Sequence, residues 1–410
     1  MMSYSQDDQI VHDHIAVLRK CHVFKVLLQD RDGQDVTFQQ LQMTFDAIVN
    51  RIRENLVDMS AGNAQYFHVI DSAMFVLCLD SGCPETPDEV ARDGFIGDGS
   101  NRWFDKALQF YVSANGRSGQ IQEHGTIDGT TPARLLEWVG TALGKHSVYT
   151  VTPKANLDGV ELDELVLQTT PEIDNHNEGL RKQFLEKTSA STYVREPLDE
   201  FGTDFLVQSR TPAKGVIDLT FQLAVRLFFG RNMNSWEPTS SAHFHMGRSD
   251  AVQRASPAVN AFCDTATKAC DDYSDLSGLR ALLLGATKQI KAGMETMLSG
   301  RSYLRVFEAL ISLWPADTPL PRFLGEHVFF GRPDPPIFAQ VNLLESDKSE
   351  IIVEDFVHLL GDTDGFWPFI IPDKKQIRVS LTGGSQERTA AFVRDLHRAA
   401  SMVRRIVETS

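Results

Sequence analysis

The chain has 410 residues and a net charge of −15; 42% of its residues are hydrophobic and 23% are charged. This composition is typical of a globular protein long enough for two domains and excludes extensive disorder. The acidic balance argues against sequence-independent binding of nucleic acid, because lysine and arginine hold phosphate backbones.

The cysteine pattern and the termini bear on the compartment. The five cysteines are odd in number and lack a Cys-x-x-Cys pair, which favours a reducing environment. The N-terminal residues resemble neither a secretory signal nor an arginine-rich presequence. No run of about twenty apolar residues occurs. We therefore expect a cytoplasmic protein without a membrane span.

The first part of the chain is predicted to begin with a helical stretch. A buried strand over Met74–Leu79 and a loop over Asp80–Ser100, rich in glycine, proline and acidic residues, follow. Residues Ala107–Ser113 and Gln120–Glu123 are predicted to be extended. Thr130-Thr131-Pro132 is typical of a helix start, with a threonine cap and a proline in the first turn.

The second part begins near Thr170-Pro171 and is predicted to contain helices separated by turns with proline and glycine. The most apolar helix, Val216 to Gly230, carries polar residues every four positions, which predicts a solvated stripe: Asp218, Gln222 and Arg226. The alternation of apolar and polar residues from Ile377 to Leu381 predicts a strand. The apolar face along Glu387 to Glu408 predicts a closing helix. The expected fold class is α/β or α+β, with mixed sheets flanked by helices. We predict two domains, residues 1–170 and 171–410.

His124 is the first candidate catalytic residue, because it lies at the predicted strand-to-helix transition in Glu123-His124-Gly125-Thr126-Ile127-Asp128-Gly129. Histidine is suited to taking a proton from an alcohol or thiol near neutral pH. A short His-x-x-x-Asp-Gly pattern is equally compatible with a histidine bonded to a backbone carbonyl. His-Phe-His at residues 243–245 lacks further ligands at a usable spacing, so no metal site is predicted.

The segment over residues 97–129 resembles the catalytic segment of the choline/carnitine acyltransferase family. In that family, an Asn-Arg-Trp-(Phe/Tyr)-Asp-Lys stretch, here Asn101–Lys106, precedes the Glu-His pair, and an acidic residue follows four places later, here Asp128. Further family motifs follow in order: Thr169–Ile173, Phe201-Gly202-x-Asp204-Phe205, Phe221–Ala224, Phe244–Asp250 and Arg254–Ser256. Peptide condensation domains and plant alcohol acyltransferases are a weaker alternative, because they share only the His-x-x-x-Asp-Gly pattern with this sequence.

The resemblance implies transfer of an acyl group between coenzyme A and a hydroxyl acceptor, without an acyl-enzyme or a permanently bound cofactor. His124 would deprotonate the acceptor, and Asp128 would orient the imidazole or make a structural bond elsewhere. Ser346 matches the last serine of the family's Ser-Thr-Ser motif and is the candidate donor to the developing oxyanion, or else a loop residue.

The residues that match the family's substrate contacts are altered. Thr203 and Val207 stand where two lysines hold the coenzyme A phosphate. Arg210 and Lys214 are the candidate replacements, or else solvated surface residues, and Arg305 matches a family arginine in a later helix with the same two alternatives. On the acceptor side, three residues are the candidates: Trp236 replaces a tyrosine, Ser249 replaces a threonine, and Trp367 replaces a glycine. These changes favour a small alcohol or polyol over carnitine.

When the sequence is compared with the family's motifs, the N-terminal portion of the family has no counterpart in it, so the first domain is expected to be incomplete. A shortened sheet would expose an edge and favour a partner protein or an oligomer. Two functions follow: an acyltransferase that uses an acyl-CoA or a carrier-bound polyketide thioester, or an inactive relative that binds a thioester or a protein.

Overall fold

The computed structural model describes residues 14–19, 22–27, 56–97, 100–123, 129–145, 165–189, 191–233, 235–245, 247, 249–269, 276, 278–315, 318–321, 340–341 and 365–409. Its principal helices are α1 (Ala61–Ser72), α2 (Pro87–Phe95), α3 (Thr130–Lys145), α4 (Pro171–Ser189), α5 (Thr203–Gln208), α6 (Ala213–Phe229), α7 (Pro257–Ala269), α8 (Leu279–Leu298), α9 (Tyr303–Ser312) and α10 (Gln386–Glu408). Its strands are β1 (His14–Arg19), β2 (His22–Leu27), β3 (Val76–Asp80), β4 (Leu108–Ser113), β5 (Ser118–Gln122), β6 (Thr192–Leu198), β7 (Trp236–Ser240), β8 (Ser249–Gln253), β9 (Gln340–Val341), β10 (Phe366–Pro372) and β11 (Ile377–Gly383).

Within the described residues, the strands form several small sheets. The largest has the order β6-β11-β10-β9, another has the order β3-β4-β5, and β1-β2 and β7-β8 are two-stranded. Strand β11 pairs antiparallel with β6 and β10, whereas β10 pairs parallel with β9. The predicted mixed α/β class is therefore confirmed.

The chain divides into two compact units, Met1–Val76 with Val151–Phe184, and Leu77–Thr150 with Leu185–Ser410. In the first unit, Asn63 on α1 is fully buried. Its Nδ2 donates to the carbonyls of Leu56 (2.7 Å) and Gln168 (2.9 Å), and its Oδ1 accepts from the Gln168 amide (2.7 Å). One side chain therefore joins α1 to the segment that precedes α4. The domain division at residue 170 stays a prediction.

The hydrophobic core of the second unit is built around α6, whose residues 215–225 are all buried. Helix α10 contributes the face predicted from its periodicity: Phe392, Leu396, Ala399, Val403 and Ile406 are all buried. Its Phe392 ring stacks on Phe366 of β10, with ring centroids 4.4 Å apart. The closing helix and the strand at Ile377 are thus confirmed.

The prediction of a solvated stripe on α6 is wrong. Asp218 and Gln222 are buried, and Arg226 is mostly covered. The amide of Gln222 donates to the Ser235 hydroxyl, and Nε of Arg226 lies 2.9 Å from Asp264 of α7. Helix α6 is surrounded by other elements, so its polar residues find protein partners instead of water.

Three predictions for the first part of the chain also need correction. Residues 14–19 and 22–27 pair as antiparallel strands where a helix was expected. The predicted loop over 80–100 contains α2, because Thr86 and Glu89 form a capping box around the first turn, which begins at Pro87. Strand β3 lies at a sheet edge, and its alternation leaves Leu77 and Leu79 exposed (52% and 72%), so only one of its faces is buried.

Candidate active site

The three predicted catalytic residues, His124, Asp128 and Ser346, lie outside the described residues. The elements on either side of the histidine segment are described. Strand β5 ends at Gln122 and helix α3 begins at Thr130, as the sequence predicted. The roles of these three residues stay predictions.

The Asn-Arg-Trp stretch ahead of the histidine has a structural role at Arg102. Nη1 and Nη2 of this buried arginine donate to the two carboxylate oxygens of Asp80, at 2.9 and 2.7 Å. Its Nε donates to the Gly94 carbonyl (3.0 Å), and Nη2 also donates to the Asp93 carbonyl (2.7 Å). Burial alone lowers the pKa of the guanidinium, but hydrogen bonding to Asp80 raises it overall. Arg102 therefore joins the end of β3 to helix α2.

The neighbours of Arg102 extend this arrangement, the Arg102 cluster, to β4. Nδ2 of Asn101 donates to Asp80 at 2.6 Å, and the Trp103 amide donates to Oε1 of Gln109 at 2.7 Å. Gln109 lies on β4, which pairs antiparallel with β5. The motif thus anchors the sheet whose last strand leads to His124.

The Phe201-Gly202 element owes its glycine to a close backbone approach. A β-carbon at Gly202 would overlap the backbone of Lys374 and Lys375 in the β10–β11 turn. The next two amides, of Thr203 and Asp204, donate to the carbonyls of Asp373 (2.9 Å) and Lys374 (3.0 Å). The N-terminus of α5 is therefore capped by protein carbonyls.

The two basic residues proposed to replace the phosphate-binding lysines have different environments. Arg210 is exposed, with a positive φ of 52°. Lys214, in the first turn of α6, holds its Nζ 2.7 Å from Glu237 and 3.3 Å from Asp218. A phosphate at Lys214 would have to compete with both carboxylates, so the described geometry is more favourable for Arg210.

Four charged residues form a closed alternating arrangement beside the β7–β8 hairpin: Lys214, Glu237, Arg254 and Asp218, here called the ion ring. Arg254 contacts Glu237 through Nη2 and lies 3.3 Å from Asp218 through Nε. These are ion-pair contacts, not aligned hydrogen bonds. Asp218, Glu237 and Arg254 are almost fully buried, whereas 29% of the Lys214 side chain is exposed. Burial lowers the pKa of Lys214 to about 8, although Asp218 opposes this change.

Two of the predicted acceptor residues lie on the same hairpin. Trp236 pairs with Gln253 at its open end, and Ser249 pairs with Ser240 next to the turn. Opposite residues in an antiparallel ladder share a face, as do residues separated by two along a strand. Trp236 and Ser249 therefore lie on one face, four positions apart, and Glu237 lies on the other.

Arg305, predicted to contact coenzyme A, lies beside Ser249. Its Nη2 donates to the Ser249 carbonyl at 2.5 Å, and its Nε is 3.5 Å from Asp250. Two residues earlier on α9, the Tyr303 hydroxyl donates to Gln253 at 2.7 Å. Helix α9 is thus attached to β8 at two points, and Arg305 keeps 57% of its side chain exposed.

The third acceptor candidate, Trp367, is half-buried on β10, where it pairs with Thr382 of β11. The structure therefore assembles Lys214, Trp236, Ser249 and Arg305 around the hairpin, whereas Arg210 and Trp367 belong to other elements. Sequence reasoning missed the ion ring, although an aspartate within the apolar helix Val216–Gly230 was the available signal.

The described residues also bear on metal binding and on membrane spanning. No group of three or more histidine, cysteine, aspartate or glutamate side chains there is placed to hold a metal ion. None of the helices in the described part of the chain has the length and apolarity needed to cross a bilayer.

Comparisons with known proteins relate the chain to acyl-transfer and polyketide enzymes. It is 34% identical over 325 residues to the highly reducing polyketide synthase ltbA of Aspergillus luteorubrus, covering 73% of this chain and 10% of that protein. It is 25% identical over 275 residues to the carnitine O-acetyltransferase of Mus musculus, covering 59% of this chain and 43% of that protein. The chain thus spans 10% of the synthase and less than half of the transferase.

Solved structures give weaker similarities. The epimerization domain from the third module of tyrocidine synthetase B has a TM-score of 0.45 and 13% identity, over 82% of this chain and 81% of that one. The trichothecene 15-O-acetyltransferase TRI3 of Fusarium sporotrichioides has a TM-score of 0.41 and 10% identity, over 73% of this chain and 70% of that one.

The family comparison covers most of the sequence. A model of the choline/carnitine O-acyltransferase family matches residues 49–398, which include the Asn-Arg-Trp stretch, the Glu-His pair and the hairpin motifs. The chain belongs to the choline/carnitine O-acyltransferase family.

Proposed function

We propose that the chain is an O-acyltransferase that moves an acyl group from a coenzyme A or carrier thioester to a hydroxyl acceptor other than carnitine. The family match over residues 49–398 carries this proposal. Similarity to highly reducing polyketide synthases supports a role in secondary metabolism, with a carrier-bound polyketide as one form of the donor.

In the proposed reaction, His124 takes the proton from the acceptor hydroxyl. The resulting oxygen attacks the thioester carbonyl, and a tetrahedral oxyanion forms next to Ser346 as hydrogen-bond donor. When the carbon–sulfur bond breaks, the thiolate leaves and takes up the proton held by His124. Asp128 orients the imidazole. This scheme needs no metal ion and no permanently bound cofactor.

The substituted residues on the hairpin and on β10 support an acceptor that differs from carnitine. Trp236 supplies an indole N–H donor but no acceptor where the family has a tyrosine hydroxyl. Ser249 keeps a hydroxyl, and Trp367 adds volume where the family has a glycine. These changes in hydrogen-bonding groups and in volume support an alcohol or polyol acceptor with a shape different from that of carnitine.

On the donor side, the surroundings of α5 support weak recognition of a nucleotide phosphate. Val207 is 68% exposed where the family has a lysine. The first amides of α5 are already bonded to carbonyls, and Lys214 is bonded to two carboxylates. Of the three candidate cations, Arg210 and Arg305 are exposed. A carrier thioester, which lacks the nucleotide, would tolerate these changes.

Turnover by wild type and His124→Ala tests the proposal. Purified protein would be given acetyl-CoA or longer acyl-CoAs with carnitine, choline, glycerol or other alcohols, and thiol release would be followed. Loss of the general base is expected to lower kcat by about 10²–10⁴-fold. His68→Ala is the matched control, because His68 is exposed on α1. Equal turnover by wild type and His124→Ala would reject the assignment of the base.

A second donor separates phosphate recognition from chemistry. Acetyl-pantetheine carries the same thioester without the nucleotide, so kcat/KM with this donor is expected to lie within about tenfold of that with acetyl-CoA. A far larger preference for acetyl-CoA would contradict weak phosphate recognition. Binding of acyl-CoA without thiol release in the presence of any of the acceptors would favour a non-catalytic binding module.

We also propose a cytoplasmic location. It is supported by the free thiols of Cys78, Cys83 and Cys263 in the described part of the chain. Labelling of these thiols in freshly lysed cells without reductant checks this point, and extensive disulfide formation would oppose it.

A further inference from the structure

We propose that the ion ring is a positioning element that holds the β7–β8 hairpin against helix α6, and with it the acceptor-facing residues Trp236 and Ser249. This inference rests on the proposed function, in which these two residues contact the acceptor. It concerns Lys214, Asp218, Glu237 and Arg254, none of which needs to touch substrate.

The ring joins the open end of the hairpin to α6, next to the hydrogen bond between Gln222 and Ser235. Lys214 and Asp218 lie one turn apart on α6, whereas Glu237 is on β7 and Arg254 directly follows β8. Each cation contacts one carboxylate of the helix and one of the hairpin. Movement of the hairpin along α6 would therefore separate opposite charges in a mostly buried place, which is unfavourable.

The ring holds the open end of the hairpin from the face opposite to Trp236. Glu237 follows Trp236 directly, so alternation sends their side chains to opposite faces. The Arg254 amide donates to the Ser235 carbonyl at 2.9 Å and extends the ladder by one step. Arg305 contacts the other end at Ser249. The face that carries Trp236 and Ser249 is thereby fixed at both ends.

The charge balance of the ring distinguishes positioning from simple packing. Two cations and two carboxylates sum to zero, and Lys214 alone reaches solvent. An apolar replacement of such a group is often neutral for stability, because desolvation offsets much of the attraction. An ion ring in this place thus contributes orientation more than stability.

The experiment compares two double variants that each remove one cation and one anion around α6. Lys214→Met/Glu237→Gln opens the ring and leaves the Asp218–Arg254 pair. Arg226→Met/Asp264→Asn removes the ion pair that joins α6 to α7, where Nε lies 2.9 Å from the carboxylate, and leaves the hairpin contacts intact. Both variants keep the net charge, so differences between them report on the hairpin.

The first readout needs no substrate. The emission of Trp236 is obtained by subtracting the spectrum of each protein with Trp236→Phe added. In the ring variant, we expect emission at longer wavelength and stronger acrylamide quenching, with the Arg226→Met/Asp264→Asn protein unchanged. If the ring variant is natively folded and its Trp236 emission and quenching equal those of wild type, the proposal is overturned.

The second readout uses acetyl-CoA with glycerol as acceptor. We expect KM for glycerol to rise about tenfold in the ring variant while kcat stays within about twofold, and the control to match wild type. A fall in kcat with unchanged KM would reject positioning of the acceptor. If wild type transfers no acyl group to glycerol, the claim that the ring positions residues for this acceptor is rejected. The Trp236 emission still decides whether the ring positions the hairpin.

Discussion

The Arg102 cluster and the ion ring both bury charge in the second compact unit, yet they are built differently. Arg102 forms a two-pronged pair with Asp80 and donates to further backbone carbonyls. The guanidinium of Arg254 in the ion ring makes ion-pair contacts without aligned hydrogen bonds, and its neighbouring cation, Lys214, is partly exposed. A buried ion pair is therefore fully hydrogen-bonded in the Arg102 cluster, whereas in the ion ring the Arg254 guanidinium lacks aligned hydrogen bonds.

Part of the difference follows from the chemistry of Arg102 and Lys214, since Arg254 has the same side chain as Arg102. The planar guanidinium of Arg102 can satisfy several acceptors at once and stays charged at all ordinary pH values. An ammonium is a point charge that readily loses its proton when buried, and the pKa of Lys214 falls to about 8. The Arg102 cluster thus suits a permanent scaffold for the sheet whose last strand ends at Gln122, whereas the ion ring suits a positioning contact whose charge depends on pH.

Replacement of Arg102 by methionine should have the largest effect on stability. It leaves the Asp80 carboxylate, whose side chain is only 10% exposed, without its cation. We expect the free energy of unfolding to fall by about 3–5 kcal/mol, measured by urea unfolding. Arg134→Met is the control, because its ion pair with Glu137 is exposed and contributes about 1 kcal/mol or less. If both variants lose the same free energy of unfolding, the Arg102 cluster contributes no more to stability than an exposed ion pair.

Opening the ion ring with Lys214→Met/Glu237→Gln should change stability much less. The remaining Asp218–Arg254 pair is neutral, so we expect the free energy of unfolding to change by about 1 kcal/mol or less. The same urea experiment measures it. A loss as large as that of Arg102→Met would show that both clusters are scaffolds and would break the comparison.

The pH dependence of stability should distinguish the ion ring from the Arg102 cluster. The Lys214 pKa is lowered from 10.5 to about 8, so between these values the unfolded chain binds more protons than the folded chain. Stability of wild type relative to Lys214→Met should therefore rise as pH increases from 8 to 10.5. The charged groups that face Lys214 are Asp218, Glu237 and Arg254.

Urea unfolding at several pH values measures this difference, with Lys291→Met, a mostly exposed lysine on α8, as control. A flat difference between wild type and Lys214→Met would show that Lys214 titrates as in the unfolded chain. The ring would then be as insensitive to pH as the Arg102 cluster.

Several elements were predictable because their signals are local. The buried face of α10 followed from the spacing of Phe392, Leu396 and Val403, and the start of α3 followed from Thr130-Thr131-Pro132. Helix α2 was equally local, since Thr86, Pro87 and Glu89 make up its start, but the surrounding glycine and acidic residues suggested a loop. The same kind of signal was therefore present in both the correct and the wrong predictions.

The candidate site was predictable as a set of positions but not as an arrangement. Trp236, Ser249 and Arg305 were each recognised by their place in family motifs, and the structure puts them around one hairpin. The pairing of Arg102 with Asp80, 22 residues earlier, had no sequence signal. The requirement for glycine at 202 was likewise invisible, because the backbone that excludes a side chain comes from Lys374 and Lys375.

The sequence by itself determined the family, the mixed α/β class and the chemistry expected of His124, because short motifs and local periodicity encode these properties. Only the tertiary structure decided which polar residues face water. Asp218 and Gln222 recur at the spacing of a solvated stripe, yet they lie in the core with partners from the hairpin and the segment before it. Periodicity reports that a helix has a polar face, whereas the packing of distant segments determines what covers that face.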